Sequence, residues 1–163
     1  MYTDHIISLD EHLAWVQHLQ RNNQQVVFIV LMDGVVGGVV SVNEMDRINL
    51  KSDWAFYLNA SIWGGLGAAL EFGLINFIFQ TRGLEKLNCE VIKTNEAVVK
   101  LHKKFGSVEE GFRRENIIKN ENRIGVFCLG LTKSDWVKKK EMVKKRYERV
   151  INKFDLEIEY EPT

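Results

Sequence analysis

The feature that most constrains this chain is a pair of apolar, β-branched runs, Val26–Met32 and residues 35–42, separated by Asp33-Gly34. Asp-Gly readily takes the two positive φ angles of a tight hairpin turn, so residues 25–32 and 35–43 read as paired antiparallel strands. Gly37-Gly38 in the second run predicts a bulge. A third antiparallel strand follows over residues 49–59, where Trp54, Phe56 and Leu58 alternate with Ala55, Tyr57 and Asn59 across two faces. Both apolar runs fall well short of the roughly 20 residues needed to cross a bilayer and read as buried strands.

Ahead of the hairpin, Ser8 and Glu11 form a capping box, and Leu13, Val16 and Leu19 recur at helical spacing, predicting a helix over residues 9–21. After the third strand, Trp63-Gly64-Gly65-Leu66-Gly67-Ala68-Ala69-Leu70 leads into a helix that runs to about Gln80. Glycines at a helix N-terminus leave backbone N–H groups approachable, which suits a phosphate. Arg82-Gly83 stops that helix and a buried strand follows over residues 87–92. Asn95 then caps a helix over Glu96–Phe105 that ends at Gly106. Residues 108–118 and 123–131, joined by Lys119-Asn120-Glu121-Asn122, form a closing hairpin. Thr132 or Ser134 caps a long basic helix through about Lys153, which Asp155, Glu157, Glu159 and Glu161 follow. No repeat or low-complexity linker interrupts this order, so an α/β (α+β) unit over residues 1–132 and a C-terminal basic helix with an acidic tail over residues 133–163 are expected.

Charge narrows the function classes. Lys plus Arg and Asp plus Glu each number 22 in 163 residues, which leaves no global field for a dedicated nucleic-acid binder. No membrane partner is expected either. With 45% hydrophobic residues the chain is no disordered segment. Its first residues show no basic region leading into an apolar core, so a cytoplasmic location is expected. Cys89 and Cys128 sit in strand-like runs and read as reduced core thiols. His5, His12, His18 and His102 show no metal-ligand spacing, and no metal is expected.

The second half carries the most specific pattern: Cys89-Glu90-Val91, Asn95, Leu101-His102-Lys103-Lys104-Phe105-Gly106 and Glu110-Gly111-Phe112-Arg113-Arg114. Together with Gly65 and Gly67 it resembles the GCN5-related N-acetyltransferase (GNAT) superfamily, from the first strand pair to about Leu131. Three places depart from the family pattern: Ile62 replaces the usual Gln or Arg, Trp63 a common glycine, and His102 the usual Tyr. The resemblance implies a mixed, mostly antiparallel sheet flanked by helices and acetyl-CoA as cosubstrate. It places Gly64, Gly65, Leu66, Gly67 and Ala68 at the pyrophosphate, and Asn95 on the pantetheine arm. The backbone of Leu58 and Asn59 would run along pantetheine, one N–H polarising the thioester carbonyl. Glu90 would be the general base acting through a water that Ser41 helps to order, and His102 the general acid, since an imidazolium can protonate a departing thiolate.

Members normally begin with a strand and a helix ahead of the segment that opens this chain. Without them the flank of residues 25–32 is expected to be open, with a homodimer as one way to cover it. Within the superfamily, Ile7-Ser8-Leu9-Asp10-Glu11-His12-Leu13-Ala14-Trp15, residues 54–59, Ala69-Leu70-Glu71-Phe72-Gly73 and Gly83-Leu84-Glu85-Lys86-Leu87 are similar to the nucleotide-sugar N-acetyltransferases of pseudaminic acid biosynthesis. That similarity implies a UDP-linked 4-amino-deoxy sugar as acceptor, with His12 and Tyr57 at the substrate. Trp54, Phe56, Tyr57 and Phe28 are candidates for the acceptor surface. A peptide N-terminal or small-amine acetyltransferase stays open, as does a non-catalytic acyl-CoA-binding module.

Overall fold

Asp33 and Gly34 both adopt positive φ, 52° and 78°, which closes β1 (Val26–Met32) onto β2 (Val35–Asp46) in a two-residue hairpin. The computed structural model describes residues 6–19, 21–59, 65–154 and 156–160. Val30 faces Gly38 while Leu31 faces Val36, so Gly37 is the extra residue of the bulge. Gly38 is required by close approach: a Cβ there would collide with the Tyr57 carbonyl of β3 (Lys51–Leu58). The remaining elements are α1 (Leu9–Leu19), α2 (Leu66–Asn76), β4 (Lys86–Ile92), α3 (Glu96–Phe105), β5 (Val108–Lys119), β6 (Asn122–Thr132), α4 (Lys133–Arg146) and α5 (Glu148–Lys153). A five-residue π-helical turn, Phe77–Thr81, finishes α2.

The six strands form one sheet in the order β1-β2-β3-β4-β6-β5. Every neighbouring pair is antiparallel except β3 and β4. Those two are parallel and stay paired only through Lys51–Lys86, Ser52–Leu87 and Asp53–Asn88. Beyond that point β3 continues to Leu58 and β4 to Ile92 without pairing to each other, so the sheet opens into a V at its centre.

Strand parity decides what each face does. Val40, Val42, Trp54, Leu87, Cys89, Val91, Leu129 and Leu131 turn to one face and are buried with residues of α2, α3 and α4. Trp136 of α4 is 1% exposed and stacks on Phe105 of α3, which is 0% exposed. The basic C-terminal helix is therefore a wall of the same core. Thr132 caps it by accepting a hydrogen bond from the Asp135 N–H, and Tyr147 interrupts it before α5. α1 forms its capping box, with Ser8 N–H on Glu11 Oε2 at 2.8 Å and Glu11 N–H on Ser8 Oγ at 3.3 Å. Its apolar stripe nevertheless buries no residue.

Among the described residues β1 is an edge strand of the sheet, and its outward-facing Ile29 and Leu31 are exposed. On the core side the chain after α5 closes it in part: Leu156, Glu157, Ile158 and Glu159 bound a cavity of about 410 Å³ with β1. No helix of the described residues is long and apolar enough to cross a membrane.

Candidate active site

The V between β3 and β4 exposes the ends of two strands from both sides, and three elements converge on it. Around the position a Cβ of Gly67 would occupy, Leu58 and Phe56 of β3 and Leu101 of α3 all lie at 3.8 to 3.9 Å. The N-terminus of α2, the free end of β3 and the middle of α3 thus meet at one place.

At the start of α2 the two glycines do different work. Gly65 is the N-cap with φ +94°, and a Cβ on it would lie 2.8 Å from Val150 Cγ1, so both backbone and packing demand glycine. Gly67 is helical and half-buried, and a Cβ there would meet its neighbours at ordinary van der Waals distance, so neither backbone nor packing demands glycine. The N–H groups of Leu66 and Gly67 belong to the first turn and have no acceptor within the helix. Together with the positive end of the helix dipole they can bind an anion. Ala68 N–H closes on Gly65 O at 2.9 Å, which removes it as a phosphate donor. Gly64, with Ile62 and Trp63, lies outside the described residues.

Asn59 donates its N–H to Gly37 O at 2.8 Å, so of the two candidate donors at the end of β3 this one is already engaged. An antiparallel ladder alternates the direction of its backbone groups. Leu58, opposite Gly38, therefore points its N–H and C=O away from β2 and into the V.

Glu90 lies two residues beyond the last β3–β4 pair, in the diverging part of β4, on the face away from the core. Arg113 of β5 ion-pairs with its carboxylate. On the same face Asn88 donates to Asp53 Oδ1 at 3.1 Å, Gln25 donates to Asn43 Oδ1 at 2.6 Å, and Asn43 donates to Ser41 Oγ at 3.1 Å. Ser41 Oγ in turn donates to Ala55 O at 3.4 Å. Tyr57 is exposed beside this row. Glu90, Ser41 and Tyr57 therefore share one face of the sheet.

His102 comes to the V from the opposite side. It is 3% exposed, its Nδ1 lies 2.8 Å from Glu71 Oε1 of α2, and its ring meets Trp54 at 5.0 Å and Phe56 edge-on at 6.1 Å. Burial pushes the Glu71 carboxyl above the ordinary carboxylate range, and the His102 contact offsets part of that shift. Cys89, on the core face of β4, has its thiol pushed up first by burial and then by Glu71, which keeps it an inert core thiol.

Several expectations need correction. Asn95 stands at the N-cap of α3, yet its side chain makes no capping hydrogen bond, so only position and backbone cap the helix. Trp54, Phe56 and Phe28 belong to the core or pack on it, because strand parity turns them away from the Ser41 face; Phe28 lines the cavity along β1, and of the four aromatic candidates Tyr57 is the one exposed on the Ser41 face. His12 is on exposed α1, its ring 5.6 Å from Trp15, and joins none of the groups around the V. Glu71 and Arg113 received no role from the sequence. The signal for Glu71 was a lone charge inside the apolar segment Leu66–Asn76, and for His102 the i, i+3, i+6 spacing of Val99, His102 and Phe105, which marks one buried helix face. Among the described residues no group of three or more His, Cys, Asp or Glu side chains is arranged to hold a metal ion.

A mixed sheet opened between its two parallel strands, with a glycine-led helix at the opening, agrees with the fold that the sequence resemblance implies. Residues 1–108 match the model of the acetyltransferase (GNAT) domain, and the chain belongs to that family as an N-acetyltransferase. An SPbeta prophage-derived uncharacterized N-acetyltransferase, YokL, of Bacillus subtilis is 26% identical over 125 residues, 75% of this chain and 70% of that protein. Among solved structures, spermidine N-acetyltransferase from Vibrio cholerae in complex with CoA and spermine superposes with a TM-score of 0.78 at 20% identity, covering 83% of this chain and 82% of that one. A dodecameric form of the same Vibrio cholerae enzyme gives 0.75 at 22% identity, covering 80% and 77%.

Proposed function

We propose that this chain transfers the acetyl group of acetyl-CoA to the 4-amino group of a UDP-linked amino-deoxy sugar. What supports the transferase chemistry is the V itself, which opens between β3 and β4 with the start of α2 and the middle of α3 beside it. Acetyl-CoA supplies an acetyl thioester whose attack by an amine needs no covalent enzyme intermediate. The chain's residues then have four tasks. Leu66 and Gly67 N–H hold the pyrophosphate. Leu58 N–H donates to the thioester carbonyl, where negative charge develops. Glu90 takes a proton from the attacking amine through a water ordered by Ser41, and His102 delivers a proton from Nε2 to the leaving sulfur. One proton is removed and one supplied, so the transfer balances.

For the acceptor, the face that carries Glu90 favours a deoxy sugar over a polycation. Arg113 neutralises Glu90 there, while Tyr57, Ile29 and Leu31 add exposed apolar surface on the same side. A polyamine would want unpartnered acids there. The similarity of residues 7–15 to the nucleotide-sugar enzymes points the same way. The test is acceptor-dependent release of the CoA thiol, with the UDP-4-amino sugar, spermidine and an N-terminal peptide compared side by side. Release with the sugar supports the reading, and release with spermidine or peptide alone moves the protein to that acceptor class. Acetyl-CoA binding with no release in any arm makes it an acyl-CoA-binding module.

A further inference from the structure

We infer that Glu71 is a positioning residue for His102, its buried carboxylate engaging Nδ1 so that Nε2 is the ring atom offered to the V. The inference rests on the reading of His102 as the acid. Tyr, the usual residue at this place, has a single O–H and needs no such help. Imidazole has two ring nitrogens, and which of them carries the reactive proton is set by the partner of the other.

Four observations support the assignment. Glu71 is 0% exposed and meets His102 Nδ1 at 2.8 Å, so the contact is shielded from water. Glu71 Oε2 is a buried oxygen without a hydrogen-bond partner, which means His102 alone justifies the carboxylate's place in the core. Trp54 and Phe56 hold the imidazole plane by ring contacts, and Phe56 lies in the part of β3 that lines the V. Finally, His102 Nε2 makes no hydrogen bond among the described residues and is not one of their buried unpartnered atoms, so the ring's second nitrogen is available.

The chemistry follows from burial. A buried pair is most stable at zero net charge, the state with one proton between Glu71 and Nδ1 and another on Nε2. Breaking the Nε2–H bond as the S–H bond forms leaves the pair with one negative charge in a dry site, and solvent then returns the proton. The other titratable groups near the pair stay neutral: the Cys89 thiol on β4 and the Tyr147 hydroxyl after α4 are both pushed up, first by burial. Trp54 and Phe56 from β3 carry no charge.

The test combines ring-nitrogen NMR of the ligand-free enzyme with kinetics on the best acceptor of the panel. In ¹⁵N-histidine-labelled protein the His102 signals, identified by their loss in H102F, should show a hydrogen-bonded Nδ1 whose shift collapses in E71Q and in E71L. An unchanged His102 spectrum in both variants overturns the inference. E71L leaves His102 Nδ1 without its buried partner, so Tm should fall in either case and kcat is the deciding readout: it should fall about tenfold or more with the KM for acetyl-CoA within about twofold. A purely structural Glu71 would lower Tm and leave kcat alone. In the H102F background E71Q should cost nothing further, whereas an additive loss overturns the coupling. If H102F alone keeps full kcat, the acid reading fails, and the NMR arm still decides whether Glu71 orients the ring.

Discussion

On one side of the V, Glu90 and Arg113 meet at a surface where their side chains remain 27% and 57% exposed; on the other, Glu71 and His102 meet at 0% and 4%. Both are acid–base pairs next to the same opening, yet their surroundings suit opposite tasks. A base that works through water needs a wet face, and the row Gln25, Asn43, Ser41 supplies polar groups that can order solvent. An acid that must hand over one proton along one direction benefits from a dry, aromatic setting that fixes its ring. The sheet separates the two surroundings by strand parity: Leu87, Cys89 and Val91 point to one face and Asn88 and Glu90 to the other.

This contrast predicts that substitutions in the packed wall of the core act through stability and those on the open side through turnover, with the buried Glu71–His102 pair bearing on both. The largest effect belongs to Trp136→Ala. Trp136 is 1% exposed, stacks on Phe105 and donates Nε1–H to Asn76 Oδ1 at 3.1 Å, so its loss opens a cavity and orphans an acceptor. The cost should be about 3–5 kcal/mol by denaturant unfolding. A cost below about 1 kcal/mol would show that α4 is an appendage and not a wall of the core.

Glu90→Gln comes next. It removes the proton acceptor at the edge of the V while keeping the shape, so kcat should fall about a hundredfold. Stability should change by no more than about 0.5 kcal/mol, as for other partly exposed positions. Full turnover in this variant would take the base role from Glu90, and a large drop in Tm would erase the contrast between the two faces.

The fold was legible wherever the signal was local. The Asp33-Gly34 turn, the Ser8–Glu11 capping box, the Gly37 bulge and the bounds of α3 all follow from residues within a few positions of one another. What escaped depends on long-range packing. The π-helical turn at Phe77–Thr81 places Phe77 against Phe28 and Tyr160, contacts that span far more sequence than any local pattern reads. Of the site, the positions of Glu90, Ser41 and His102 were legible as motif places. Their faces were not: the pairing of His102 with Glu71 joins residues 31 apart in sequence, and that of Glu90 with Arg113 joins residues 23 apart. The amphipathic face of α1 misled in the other direction, because a stripe implies burial only where a partner exists.

Gly67→Val tests the cofactor end without touching either pair. The nearest atoms stand 3.8 Å from a Cβ there, so the helix should tolerate the change, while a branched side chain blocks approach to the first-turn N–H groups. The KM for acetyl-CoA should rise about tenfold, a loss of about 1.4 kcal/mol, with little change in Tm. Gly65→Val should behave differently and lower Tm as well, because φ +94° and Val150 both exclude a side chain. An unchanged KM in Gly67→Val would remove the phosphate site from α2.

The smallest effect is expected at Ser41, where the two kinds of face are closest to being confused. Ser41 Oγ accepts from Asn43 and donates to Ala55 O at 3.4 Å, a long contact that leaves it able to turn toward solvent. If it orders the water that Glu90 uses, Ser41→Ala should lower kcat about fivefold, near the worth of one neutral hydrogen bond. If it is only a strand hydroxyl, kcat should stay as it is and stability should shift slightly as Asn43 loses an acceptor. Solvent isotope effects separate the outcomes further. A water-ordering serine makes the effect on kcat larger in wild type than in the variant, and a structural one leaves it equal. Equal effects would confine the open-face machinery to Glu90 and place the ordering of water with the acceptor itself.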